Sequence, residues 1–171
     1  MAYQKLQVSD ALAVIPSNVV RIPDPSTAIF TGKGDFTVTN KVTDNGLNTK
    51  FLTMGIQIMN PGPAIIYNIT AGIAYYVKSV NSDLELSLSG GGTGGAGDTY
   101  TIYNAATSGC IPFVGGAGDI GLVMAARNTN EAFTTQAQVL FKGIAAGAFL
   151  PTQIIGVSAL GTTATDIVAL W

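Results

Sequence analysis

The sequence predicts an all-β protein: a β-sandwich of jelly-roll type with a small inserted β-barrel-like module and little or no helix. Three observations predict it. Short runs alternate between apolar and polar residues with period two. Turn-forming residues separate these runs roughly every ten positions. No window sustains an apolar stripe at helical spacing.

The elements follow in order. SDALAVIPSNVVRIPDP (9–25) is apolar from Ala11 to Ile22, and its prolines at 16, 23 and 25 favour an extended arm. DFTVTNKV (35–42) sets Phe36 and Val38 against Thr37 and Thr39 and continues to Val42, the pattern of a half-buried strand. IQIM (56–59), AIIYNI (64–69) and IAYYV (73–77) are apolar on both faces, as strands covered on two sides are. DLELSLS (83–89) alternates cleanly, Leu84, Leu86 and Leu88 opposing Glu85, Ser87 and Ser89. TYTIY (99–103) is built of β-formers, Tyr100, Ile102 and Tyr103 among threonines. DIGLVMA (119–125) and TQIIGVSAL (152–160) are again two-sided. TQAQVLFKG (135–143) opposes Ala137, Val139 and Phe141 to Gln136, Gln138 and Leu140. The best helical window, 121–133, runs into the turn cluster Asn128-Thr129-Asn130.

Further punctuation comes from Asn45-Gly46, Pro61-Gly62-Pro63, Asn81 to Asp83, the glycine run 90–97 and Gly147. It divides the chain into an arm with the first strand of the sandwich (1–35), a β insert (36–104) and a C-terminal β unit (105–171).

Composition narrows the function. Charged residues are 11% of the 171-residue chain, against about 25% in an ordinary soluble domain. So little charge implies that apolar surface is buried against other subunits. No apolar run approaches the roughly 18–20 residues of a spanning helix, so no membrane partner is expected. MAYQKLQVSD lacks the pattern of a signal peptide. The basic residues are scattered singly, which argues against a nucleic-acid groove. Cys110 is the single cysteine and reads as a small buried apolar side chain.

Chemistry is hard to place. GGAGD occurs at 94–98 and at 115–119, but neither copy continues into the Lys-Ser or Lys-Thr of a phosphate loop. The calcium-binding β-roll repeat carries its aspartate one place later and in many copies. The remaining reading is a glycine turn in which Asp98 or Asp119 launches a strand. The chain has no histidine, which removes the commonest general base and most zinc sites. Asp24, Asp35, Asp44, Asp83, Asp98, Asp119 and Asp166 stand mostly in turn contexts; Glu85 projects from a polar strand face and Glu131 follows a turn. No spacing suggests the opposed carboxylates of a glycosidase. No catalytic, cofactor or metal residue is therefore assigned. Tyr67, Tyr75, Tyr76, Tyr100 and Tyr103 could form a sugar-stacking platform, or could simply pack. Asn68-Ile69-Thr70 matches the glycosylation sequon, read here as a chance match.

GAFLPTQIIGVSALGTTATDIVALW (147–171) resembles the C-terminal signature of small structural proteins of tailed bacteriophages. GCIPFVGGAGDI (109–120) is similar to a strand and turn of the same family, and SDALAVIPSNVVRIPDP (9–25) to its N-terminal arm. The resemblance extends to the head-spike base proteins of gene transfer agents and their phage counterparts. The resemblance implies a non-enzymatic virion protein on the capsid surface, made in the bacterial host cytoplasm and assembled as a symmetric homo-oligomer, pentamer or trimer. Its partners would be the major capsid protein, met through the apolar arm from Ala11 to Ile22, or a spike or fibre protein. The alternative is a tail- or fibre-associated module that binds carbohydrate or a receptor. IVALW, ending at Trp171, is expected to be a docked strand rather than a frayed tail.

Overall fold

A computed structural model describes residues 8–58, 63–90, 92–104, 109–125 and 138–171. The chain is built almost wholly of strands, and the three-residue turn of 3-10 helix at Pro25–Thr27 is the one helical element among the described residues. Several expected features lie outside these residues: the pair Pro61-Gly62, the cluster Asn128-Thr129-Asn130, Glu131, and the start of the 135–143 strand.

Strands β2 (Ala28–Asp35), β3 (Lys41–Thr43), β4 (Ile65–Asn68), β5 (Ile73–Ser82), β6 (Glu85–Ser89) and β7 (Ala96–Tyr103) close into an antiparallel barrel of order β2-β3-β6-β5-β4-β7. Its interior is filled by Phe36, Val42, Phe51, Ile66, Tyr75, Leu86, Tyr100 and Ile102. Phe36 stacks on Tyr75 at 5.6 Å and meets Tyr100 edge-on at 5.5 Å. The barrel takes in Ala28–Asp35, a stretch the sequence reading places with the arm and first strand of the sandwich and not in the 36–104 insert.

The rest of the chain forms two sheets. One is four-stranded, of order β1-β13-β8-β11, from β1 (Ala11–Ala13), β8 (Ile111–Gly116), β11 (Ala148–Phe149) and β13 (Thr165–Leu170). The other is three-stranded, of order β10-β9-β12, from β9 (Gly118–Met124), β10 (Gln138–Ile144) and β12 (Ile154–Ser158). They share a core of Val114, Ile120, Leu122, Ile154, Val157, Ile167 and Ala169. Period two places alternate residues of each strand there. The C-terminal run is docked: β13 lies between β1 and β8, and Ser9 and Trp171 extend the ladder (Ser9 N to Trp171 O, 2.7 Å).

The arm runs without helix from Ala11 to Ile22, as expected, and makes backbone bonds within its own chain while Ala11, Ala13, Pro16, Asn18 and Val19 stay exposed. Val14 donates to Ile167 O, Ser17 to Val157 O and Ile22 to Ile155 O, so one segment ties both sheets of the sandwich together. On its other side Ile15 and Val20 pack against Ile65, Tyr67, Ala74 and Tyr103 on the outside of the barrel. Two-sided strands such as AIIYNI are thereby explained within a single chain. Ile66 faces the barrel interior and Ile65 faces the arm.

Two strand readings are corrected. DFTVTNKV is not one strand: the Asp35 carboxylate accepts from Thr37 N and Thr37 Oγ1, an Asx turn that ends β2. Asn40 then adopts φ +58°, and Val38 is left 57% exposed. A local side-chain bond defeated the periodicity. IQIM forms no strand over residues 56–58, although Ile56 packs against the barrel core. In DLELSLS, Leu86 and Leu88 are buried but Leu84 belongs to the preceding turn and is exposed.

Candidate functional site

The two GGAGD turns share a sequence but use their aspartates differently. In the first, Gly97 has φ +79°, a conformation that glycine adopts without steric cost. Asp98 is buried and accepts from Gly95 N (2.7 Å) and from Asn68 Nδ2 (2.8 Å). In the second, Gly118 passes so close to the next turn that a Cβ would lie 2.5 Å from Ala164 N. Asp119 there accepts from Gly143 N through Oδ1 (2.8 Å), while its backbone carbonyl takes Thr163 N and Ala164 N. Both loops turn the chain and spend a carboxylate on backbone donors.

Several other described carboxylates also accept from backbone N–H groups. Asp24 caps the 3-10 turn at Ser26 N, and Asp35 closes its Asx turn, whose hydroxyl bond from Thr37 holds its carboxyl below the usual range. Asp83 accepts from Leu52 N, and Asp166 from Thr165 Oγ1. Asp44 accepts from Gly46 N (2.7 Å) and from the phenol of Tyr100 (2.6 Å). Glu85 pairs with Lys41 across neighbouring strands, and this bond lowers its carboxyl from the ordinary value. Among the described residues no cluster of three or more ligating side chains could hold a metal ion. No helix among them is long and apolar enough to cross a membrane.

The five described tyrosines form no exposed platform. Tyr75 and Tyr100 fill the barrel, and Tyr67 and Tyr103 meet edge-on beneath the arm at 5.8 Å. Tyr76 also faces the arm, where its phenol accepts from Arg21 N (3.0 Å). Burial pushes all five phenols above their ordinary value. Asn68 is fully buried with its amide committed to Asp98, so in the folded chain the sequon offers no acceptor. Cys110 is buried where it bridges the two sheets through Ile154, and burial pushes its thiol up to about 12. A groove of about 310 Å³ between arm and barrel, lined by Pro16, Asn18, Ile73 and Gly90 among others, has no charged or aromatic side chain.

What the structure does present is a surface. On the four-stranded sheet, residues in register share a face. Ala11, Leu170 and Ile111 form one row; Ala13, Val168, Phe113 and Phe149 form the next. Every side chain in both rows is apolar, and each is at least partly exposed. Phe113 and Phe149 lie 5.0 Å apart, and Phe149 is 57% exposed. The alternation of β13 produces this face: Ile167 and Ala169 point into the core, while Val168 and Leu170 point outward. Sequence reasoning noticed the apolar terminus but missed this face. The signal was available in IVALW, which is apolar at both parities of a strand.

No protein-family model, no curated protein and no solved structure matches the chain.

Proposed function

We propose that the chain is a non-enzymatic structural subunit of a tailed-phage or phage-like particle, a symmetric homo-oligomer that decorates the capsid. The observation that carries this reading is the uncovered apolar face of the four-stranded sheet, with its two rows from Ala11 to Phe149. A contiguous exposed patch of this kind marks an interaction surface. The 11% charge content supports the same reading, as does the commitment of the carboxylates to turns rather than to a cleft. The resemblance of residues 147–171 to phage structural proteins supplies the particle. The arm bonds within its own chain yet keeps Ala11 and Ala13 exposed on the apolar face, so it can still contribute to the capsid contact.

Light scattering at micromolar concentration tests the assembly, and rebinding to particles stripped of the protein tests the location. The expected results are a single closed oligomer and saturable rebinding. A strictly monomeric protein that does not rebind overturns the proposal.

A further inference from the structure

The sandwich has a second exposed apolar patch, on the sheet opposite the first. Leu140 pairs in register with Gly121, so it points away from the core that Ile120 and Leu122 occupy. It is 41% exposed, and Leu160, at 51%, belongs to the same surface. Gly161 beside Leu160 lies close enough that its Cβ would sit 3.5 Å from Leu140 Cδ1.

The charges at the margins differ in sign. Asp166 stands at one end of the Phe113–Phe149 face, leaning over Gly115. Lys142 is exposed two residues beyond Leu140. Neither makes an ion pair among the described residues. The Asp119 carboxylate, on the strand beside Lys142, is turned to Gly143 N.

We infer that copies of this chain join head to tail, the Phe113–Phe149 face of one seated on the Leu140–Leu160 patch of the next with Asp166 beside Lys142. The inference rests on the homo-oligomer reading above. A two-fold pairing of the Phe113–Phe149 face with itself would leave Leu140 and Leu160 in water and Lys142 without a counter-charge. A head-to-tail contact covers both patches at once and joins opposite charges. Contacts between two different surfaces of one chain generate rings when the rotation closes. The two patches are the apolar centres of such an interface, whose rim would be polar.

Two variants decide it. Phe149→Glu spoils one surface and leaves Leu140 intact; Leu140→Glu does the reverse. Each alone is expected to lose the closed oligomer. Mixed in equal amounts they are expected to form a one-to-one dimer, because each chain retains the surface its partner lacks. Light scattering up to about 100 µM reads the mass, a range that detects the weak single contacts typical of small interfaces. If Leu140→Glu alters the melting temperature, Leu160→Glu takes its place. A mixture that stays monomeric overturns head-to-tail assembly, as does an unchanged oligomer in either variant. A monomeric wild-type chain instead removes the homo-oligomer reading itself.

Discussion

Inside the barrel Tyr100 donates its phenolic proton to the Asp44 carboxylate over 2.6 Å, and neither residue reaches solvent. The bond joins β7 to the loop after β3, which folds back through Gly46 N onto the same carboxylate. Tyr100→Phe keeps the ring and its packing on Phe30 and Phe36 but removes one donor from a buried carboxylate. The expected cost is about 1–3 kcal/mol. Thermal unfolding should show a fall of about 2–4 °C for each kcal/mol in a chain of this size. An unchanged melting temperature would show that the bond contributes nothing net.

Alkaline pH should unfold the protein cooperatively. Burial raises the phenols of Tyr67, Tyr75, Tyr76, Tyr100 and Tyr103 above 10.0 and the Cys110 thiol from 9.0 to about 12. A group raised in the folded state stabilises it fully below its unfolded value, and that contribution is lost as pH climbs toward the folded value. The melting temperature is therefore expected to be insensitive to these groups up to about pH 8.5 and to fall steeply above about pH 10. Phenolate absorbance should rise together with loss of β circular dichroism. Independent titration of these five phenols near pH 10 in a folded chain would contradict the burial.

Removing Ile167 to Trp171 takes out most of β13, and with it the partner of both β1 and β8. Ile167 and Ala169 leave the shared core. A buried isoleucine alone is worth about 1.5–3 kcal/mol, against a total stability of about 5–15 kcal/mol. The truncated chain is expected to aggregate; a truncated chain of unchanged oligomeric mass and melting temperature would refute the docking.

Chelation should leave the melting temperature where it is. The carboxylates of both GGAGD turns are satisfied by N–H donors, Asp98 by Gly95 and Asn68, Asp119 by Gly143. A drop of several degrees with EDTA, reversed by calcium, would show that a cation contributes to folding.

The fold class was legible because period-two runs such as Leu86–Leu88 and Tyr100–Ile102 keep their core residues on one face. The glycine turns were legible too, since glycine and aspartate act locally there. DFTVTNKV misled because the Asp35 turn is also local and overrides an alternation only four residues long, Phe36 to Thr39. The start of the barrel was missed for another reason. AIFTGKGD carries little apolar signal, and pairing with β7 makes it a strand, through partners such as Gly32 and Tyr100. The candidate surface was the least visible, because Phe113, Phe149 and Val168 come together only when strands distant in sequence pair. Periodicity reports which residues share a face, not which strands lie side by side.

The ladder between Ser9 and Trp171 joins residues 162 positions apart, and such closure is expected to come late in folding. Every pairing in the barrel lies within Ala28–Tyr103, so the barrel can form from a contiguous stretch of chain. The sandwich cannot, because the arm has no ladder to join until β12 and β13 are in place. Long-range closure of this kind is slow. Until it occurs, the apolar arm and the outer wall of the barrel it covers remain open to misassociation. Refolding should therefore show a fast phase that buries the tyrosines of the barrel interior, followed by a slower one in which the arm seats and Tyr67 and Tyr103 leave water.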